Sequence, residues 1–561
     1  MATIFILDSV NTVATIHESA APSTTDLAPL RAPWHRNALY AALVLVLIFF
    51  AVVRVRLRNV PLERDEGEYA YSGQLILEAI PPYKLAYNMK LPGTYAAYAV
   101  IMGVLGETPA GIRLGLLLVN AATSILVFLL AKRLHGLLSG VVAGCTYALL
   151  STRSSVLGFS GHATHFVIFF ALLGILLLLP AIEKKKSSLI FLSGLFLGLG
   201  FLMKQHGILL AMFAGLYLLW AQRRMPFRNL LLSAALFSFG VSLPYLLTCV
   251  ILYRAGVFHE FWFWTVSYGR AYASEMTLRD GLKMIRAVGP WMIRPFLIWG
   301  IAAVGLTALV WNKKVRAQAA FSVGFLMFSV LAVIPGYYFR PHYFIVLLPA
   351  VSLWAGIAVA AAQQRLLERS SQTSSQNWIG WIPLAIFTLA FIFSVHGQHN
   401  YFFRKDPVKY VVDSNGCGDD CAADLEVGNY LRDNSTSTDQ VAVLGSEPAI
   451  YFYAHRHSAT GYLYMYALTE NQSYKQQMQQ EMIHEVESAE PRFVVYVDDG
   501  YSWWNLGSTK EFAYLLPLQQ WIFGHYQLEK KVAIKLDAEH LWGDHAAFYI
   551  FRRTAPRPNQ Q

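Results

Sequence analysis

Four carboxylates fall within six residues in Glu63-Arg64-Asp65-Glu66-Gly67-Glu68, just past the first long apolar run, Ala38 to Val53. Lys90 follows further on, a lone cation just ahead of Leu91-Pro92. A carboxylate can take a proton from an attacking hydroxyl, and a cation can hold a phosphate. Placed where a membrane segment emerges, the two supply the parts for group transfer at a membrane surface. The plain alternative is a solvated loop with ordinary surface charges. Glu63 and Glu68 are read that way here, and Glu66 as a partner that orients Asp65 or pairs with Arg64.

Further bases stand at the ends of other apolar runs: Arg153, Lys204, Arg340 and His342. Side chains of this type hold phosphate well. Each also has a structural reading. Arg340 and His342 sit beside Tyr337, Tyr338 and Tyr343, as interfacial anchors do. Lys204 ends an apolar helix and can snorkel to the interface. His162 and His165 open a span, where a histidine commonly serves as a structural donor.

These residues must be positioned by membrane helices. The 561-residue chain is 55% hydrophobic and only 14% charged, whereas soluble domains are about a quarter charged. Apolar runs near the roughly 20 residues needed to cross a bilayer recur through the first 395 positions. The pattern predicts a polytopic α-helical protein with about eleven spans. These are Ala38–Val53, Ala110–Leu130, Leu137–Leu150, His162–Ile182, Leu189–Met203, Ile208–Trp220, Leu230–Leu252, Phe296–Val310, Ala319–Ile334, Tyr343–Ala362 and Ile379–Val395. Thr94–Leu105 is apolar but too short to cross, and reads as a helix at the membrane surface within a loop spanning 54–108.

Sidedness follows from the basic loops. With residues 1–37 as a cytoplasmic tail, Lys132/Arg133, Lys184/Lys185/Lys186, Arg223/Arg224/Arg228, Lys313/Lys314/Arg316 and Arg365/Arg369 all fall inside. Counting Thr94–Leu105 as a span would turn all five loops outward. Arg54, Arg56 and Arg58 fall outside, against the rule. The net charge of +10 is then a property of inside loops and not of a nucleic-acid surface.

Residues 396–561 read as a separate extracytoplasmic α/β domain following a transmembrane domain over 38–395. Gln440–Gly445, Phe493–Val497 and His545–Phe551 are its expected strands, Cys421–Arg432 and Tyr474–Glu487 its expected helices. Cys417 and Cys421 are a plausible disulfide in an oxidising compartment. Two cysteines without a nearby His pair make only half a zinc shell, so no metal site is expected there.

The pairing of Asp65-Glu66 with Lys90-Leu91-Pro92 around the first of some eleven spans resembles the C-type glycosyltransferases. Among them it is similar to the protein O-mannosyltransferases and to the bacterial aminoarabinose transferases that modify lipid A. The resemblance implies a multi-pass enzyme of the cytoplasmic (inner) membrane, a hexosyl- or pentosyltransferase. It would move a sugar from a polyprenyl-phosphate donor to a lipid, glycan or protein acceptor on the extracytoplasmic face. It implies that Asp65 is the catalytic base, with Glu66 beside it. It also implies that Lys90 binds the donor phosphate, and Arg340, Arg153 and His342 are placed with it. The family usually has Lys-Pro-Pro where this chain has Lys90-Leu91-Pro92. It also usually has a second aspartate near the third span, where this chain has His162. His162 is therefore a third catalytic candidate, with a pH profile near the ordinary histidine value of about 6.5. No cofactor is expected to be essential, since bases can neutralise the phosphate; a divalent cation held by Asp65 and Glu66 is the open alternative. A transporter, or a membrane-anchored binding or sensor protein acting through the C-terminal domain, are the rival readings. Charges gathered at one face, with few in mid-span, weigh against the transporter.

Overall fold

The computed structural model describes residues 33–370, 377–413, 417, 420–503, 513–534 and 546–554. The tail expected over 1–37 lies almost wholly outside them. All eleven expected spans are helical. In chain order the first nine helices are α1 (Pro33–Arg56), α2 (Arg64–Leu77), α3 (Gly93–Leu105), α4 (Pro109–His135), α5 (Leu137–Leu150), α6 (Ala163–Lys184), α7 (Ser187–Met203), α8 (Gly207–Ala221) and α9 (Phe227–Arg254). Phe296–Trp311, Ala319–Leu331, Leu348–Ser370 and Ile382–His396 follow. Among the described residues, six helices are long and apolar enough to cross a membrane by length and composition. Phe296–Trp311 is bent by 104° from the preceding helix Leu278–Met292, and the pair makes up to seven. Four of the other expected spans, α5, α7, α8 and Ala319–Leu331, are apolar but shorter. The segment expected at the surface is α3.

The helix ends follow ordinary rules. Pro109 opens α4 behind a Thr108 cap, and Gly136 at φ 97° closes it, a left-handed position that suits a residue without Cβ. Arg54 and Arg56, the exceptions to the charge rule, end α1. The structure gives them backbone partners. Arg54 is buried and donates to the Ser151 carbonyl at 2.9 Å, and Arg56 donates to the Phe402 carbonyl at 2.6 Å. These arginines tie α1 to the segments behind α5 and Ile382–His396.

The C-terminal region is built on a five-stranded sheet of β1 (Gln440–Leu444), β2 (His457–Ser458), β3 (Phe493–Asp498), β4 (Tyr526–Ala533) and β5 (Ala547–Arg553), in the order β2-β1-β3-β5-β4. β1 pairs in parallel with β2 and β3, with Val443 opposite Val495; β5 is antiparallel to β3 and β4. The three expected strands are β1, β3 and β5, although His545 itself lies outside the described residues. β2 is too short to leave a periodic pattern. β4 reads Tyr-Gln-Leu-Glu-Lys-Lys-Val-Ala and sits at the sheet edge, where charged side chains are tolerated because one side is open. The expected helices are Cys421–Asp433 and Lys475–Ala489, and Cys417 and Cys421 are disulfide-bonded.

The sheet region and the bundle meet along α2. A Cβ on Gly67 would stand 2.6 Å from Ala449, so only glycine allows helix Ala449–Ala454 this close. The Leu62 N–H donates to the Tyr453 hydroxyl at 2.8 Å and the Ser458 N–H to Tyr71 at 2.7 Å. The helix that carries the acidic cluster is therefore packed between the two halves of the molecule.

Candidate active site

The first turn of α2 aims its acids in different directions. Glu63 is its N-cap: its carboxylate accepts the Asp65 N–H at 2.9 Å, and the Glu66 carboxylate accepts the Glu63 N–H at 3.1 Å. This reciprocal arrangement is a capping box, and it fixes the turn. Burial, with Asp65 and Glu66 close by, pushes the Glu63 carboxyl up to about 8. Asp65 and Glu68, three residues apart, share a helix face. Lys90 lies across that face. Its Nζ is 2.8 Å from Asp65 Oδ1 and also pairs with Glu68, which accepts the Tyr95 hydroxyl at 2.5 Å. Glu68 is fully buried, so the solvated-surface reading is corrected. Its carboxylate holds Lys90 from behind while Asp65 faces forward.

Glu66 points the other way. It too is fully buried, and it accepts from Arg113 of α4 and from the Gly161 N–H. It does not pair with Arg64, whose guanidinium instead reaches Glu447 at 2.6 Å and Asp420 at 2.8 Å in the C-terminal region. Arg113 was not anticipated, although an arginine in the first turns of an apolar helix is a signal, since such a charge needs a buried partner.

Two histidines close on Asp65. His162 is the N-cap of α6, and His342 lies in the turn before helix Leu348–Ser370. The Thr164 hydroxyl donates to the His342 carbonyl at 2.9 Å and locks the two segments together. The imidazole rings stack with centroids 4.0 Å apart, and a nitrogen of each stands 3.9 Å from Asp65 Oδ2. That is contact without a hydrogen bond. Neither His162 nitrogen has a hydrogen-bond partner among the described residues. The His162 ring is fully buried.

In front of Asp65 opens a cavity of about 440 Å³. Lys90, Lys204, Arg340 and His342 line its polar end, and its other walls include tyrosines 87, 268, 272, 338, 343, 464 and 466, Trp264 and Glu470. The Tyr464 hydroxyl donates to Asp65 Oδ1 at 3.1 Å, a contact from the C-terminal region with no sequence signal of its own. Lys204, read as snorkelling, is corrected: its Nζ lies over the Tyr343 ring at 4.0 Å, facing the cavity. Arg153 is corrected too. It is buried away from the cavity and donates to the Ser394 carbonyl at 3.2 Å.

Charge in the cavity is strongly organised. Burial raises the Asp65 carboxyl, but Lys90, the two histidines and Arg340 more than offset this and hold it well below the usual carboxylate range. Burial works against the Lys90 charge, yet Asp65 and Glu68 keep it protonated, well above the usual lysine value. Lys204 differs. Burial pushes it down to about 7, with Asp65 opposing and Lys90 and Arg340 adding to the shift. The polar end thus gathers Lys90, Lys204 and Arg340 around Asp65, which suits an anion.

Asp65, His162 and His342 also offer three ligand atoms within 4.8 Å of one another. This is a different set from the Asp65 and Glu66 pair considered from sequence, since Glu66 faces Arg113. A carboxylate and two imidazoles suit a divalent ion. Such an ion would compete with Lys90 for Asp65, among two further cations.

Residues 90–252 match the family model described as dolichyl-phosphate-mannose-protein mannosyltransferase. This match covers under a third of the chain, and the solved structures below share its fold of apolar helices with a C-terminal sheet region. Among solved structures the chain is similar to ArnT from Cupriavidus metallidurans in the apo state, with TM-score 0.54 and 14% identity over 92% of this chain and 98% of that one. ArnT from the same organism bound to undecaprenyl phosphate gives TM-score 0.53 with the same identity and coverage. The oligosaccharyltransferase AglB of Archaeoglobus fulgidus, in complex with an inhibitory peptide and a dolichol-phosphate, aligns at 13% identity over 81% of this chain and 69% of that one; its TM-score of 0.48 is too low to argue from. No curated protein matches the sequence. The resemblance read from Asp65-Glu66 and Lys90-Leu91-Pro92 is borne out by the family match and the fold.

Proposed function

We propose that this chain transfers a sugar from a polyprenyl-phosphate carrier to an acceptor hydroxyl or amine, with Asp65 as general base. The observation that carries the reading is Asp65 set among Lys90, Lys204 and Arg340 at one end of a cavity whose walls are rich in aromatic residues. The cations suit a phosphate and the aromatic walls suit the first isoprene units of a lipid. ArnT, which shares the fold, has been solved with undecaprenyl phosphate. In the reaction the acceptor O–H (or N–H) bond breaks and its proton passes to Asp65. The acceptor atom bonds to the anomeric carbon, and the bond from that carbon to the phosphate oxygen breaks, releasing polyprenyl phosphate. Lys90, Lys204 and Arg340 neutralise the charge growing on that oxygen.

Lys90 gives the site an order of events. In the free protein it is tied to Asp65 and makes it a poor base. A donor phosphate drawing on the same ammonium loosens that tie, so Asp65 gains basicity as the donor enters.

Lys90 is a poor test residue because Glu68 would be left buried without its partner. Arg340→Ala and Lys204→Ala are cleaner. Each should weaken undecaprenyl-phosphate binding by roughly ten- to a hundredfold, as expected for charge-assisted hydrogen bonds. Lys204 adds a pH signature. Its ammonium binds phosphate and its free amine does not, so wild-type affinity should fall as pH rises through about 7 and onward, because bound phosphate itself raises the lysine value. Lys204→Ala should flatten that dependence. Wild-type affinity in both variants would place the phosphate elsewhere.

The active end and the C-terminal region are proposed to be extracytoplasmic, in the cytoplasmic (inner) membrane, from the five basic loops that share the other side. Cysteine labelling should reach the exposed positions 78 and 433 from outside and positions 185 and 314 only after permeabilisation. Labelling of 433 from the cytoplasm alone would reverse the active face. Transfer is proposed to need no metal, the cations replacing it. Activity should survive EDTA; loss on chelation and recovery with a divalent ion would instead assign Asp65, His162 and His342 as ligands.

A further inference from the structure

A second cavity, of about 210 Å³, opens on Asp65. It shares Asp65, Arg340, Tyr464 and Tyr466 with the first, but its remaining wall is of opposite character. Glu63 comes from the α2 cap, Asp420 and Asp424 from the start of helix Cys421–Asp433, and Glu447 from the turn after β1. Arg64 ties Glu447 and Asp420 into place, and the Cys417–Cys421 disulfide borders the same wall. Asp424 is the informative member. It is 2% exposed, it lines the cavity, and its Oδ1 has no hydrogen-bond partner among the described residues. A buried carboxyl oxygen without a partner costs free energy unless something supplies a donor.

We infer that this cavity is the acceptor subsite and that it takes the uncharged, hydroxyl-rich end of a glycan. The inference rests on the transferase reading above and names its acceptor. Hydroxyls both donate and accept, which matches a wall of crowded carboxyl groups. Burial, then the neighbouring acids, raises the Asp424 carboxyl well above the usual range; burial raises Glu447 likewise, against the pull of Arg64. Tyr464 and Tyr466, with ring centroids 5.5 Å apart, add apolar faces against which a sugar ring can lie. A phosphate-bearing acceptor meets like charge here and is discriminated against, while the cationic cavity across Asp65 receives the donor phosphate. An acceptor so placed reaches Asp65 from the side away from Lys90 and Lys204, as displacement at the anomeric carbon requires.

The test uses the full chain in detergent. Binding of neutral manno-, gluco- and galacto-oligosaccharides is measured by native mass spectrometry beside their phosphorylated counterparts, a Ser/Thr-containing peptide and undecaprenyl phosphate. At least one neutral saccharide should bind at least about tenfold more tightly than its phosphorylated form, a comparison that needs no variant. Asp424→Asn and Asp424→Ala should weaken that saccharide about tenfold or more while undecaprenyl phosphate still binds. Equal or tighter binding of phosphorylated forms, binding of the peptide alone, no saccharide binding, or saccharide affinity unchanged in both variants overturns the inference. Failure of undecaprenyl phosphate to bind wild type, with the saccharide results as expected, would refute the donor reading and leave this one standing.

Discussion

Asp65→Asn should lower sugar transfer by at least about a hundredfold, the lower end of what a positioned general base contributes, while donor binding persists. Asn keeps the shape of the side chain and the N-terminal turn of α2, but it cannot take a proton. Lys90 keeps its contact with Glu68 and is no longer shared with a carboxylate in front. Undecaprenyl phosphate should therefore bind the variant at least as tightly as wild type, which separates loss of chemistry from loss of the site. Glu63→Gln is the internal comparison. Glu63 acts as a cap, and a glutamine oxygen can still accept the Asp65 N–H, so transfer should change little.

Arg113→Met should be the most destabilising single change in this region. It leaves the Glu66 carboxylate fully buried, with the Gly161 and Glu63 N–H groups as its remaining named donors. Breaking a buried ion pair from one side costs about 3–5 kcal/mol. The variant should unfold at clearly lower temperature in detergent and yield less protein in the membrane. Glu66→Gln should be milder, because its amide oxygen can keep the Gly161 bond. If Glu66 were a catalytic group and not a positioning residue, Glu66→Gln would instead abolish transfer in a protein of wild-type stability. An Arg113→Met protein that melts with wild type would show the pair to be dispensable.

Much of the helical half was legible because long apolar runs have few other interpretations, and each expected span is a helix. The number that cross a membrane is less so, because helices such as α5 and Ala319–Leu331 are short and gain their place by packing against longer neighbours. Asp65 and Lys90 stood out by type and position. Their partners did not. Lys204 and Arg153 end apolar stretches in much the same way, yet one faces the cavity and the other a carbonyl, a difference decided by which neighbours pack beside them. Glu68 looked like surface because α2 is polar overall; it is buried because Lys90, and Tyr95 of α3, close over its carboxylate. Tyr464 and the acids at 420, 424 and 447 lie more than 350 positions from Asp65, and no local pattern links them to it. β4 was hidden by its charged edge.

The most direct test of the account is whether purified protein consumes a polyprenyl-phosphate sugar. Undecaprenyl-phosphate hexoses and pentoses are supplied singly, with membranes from a strain lacking the protein as the acceptor source. Release of undecaprenyl phosphate and labelled product are followed together by mass spectrometry. The account predicts that at least one such donor is consumed by wild type, with product formed in step, and not by Asp65→Asn. Consumption of a nucleotide sugar in place of every lipid-linked donor, or equal turnover by Asp65→Asn, would contradict it.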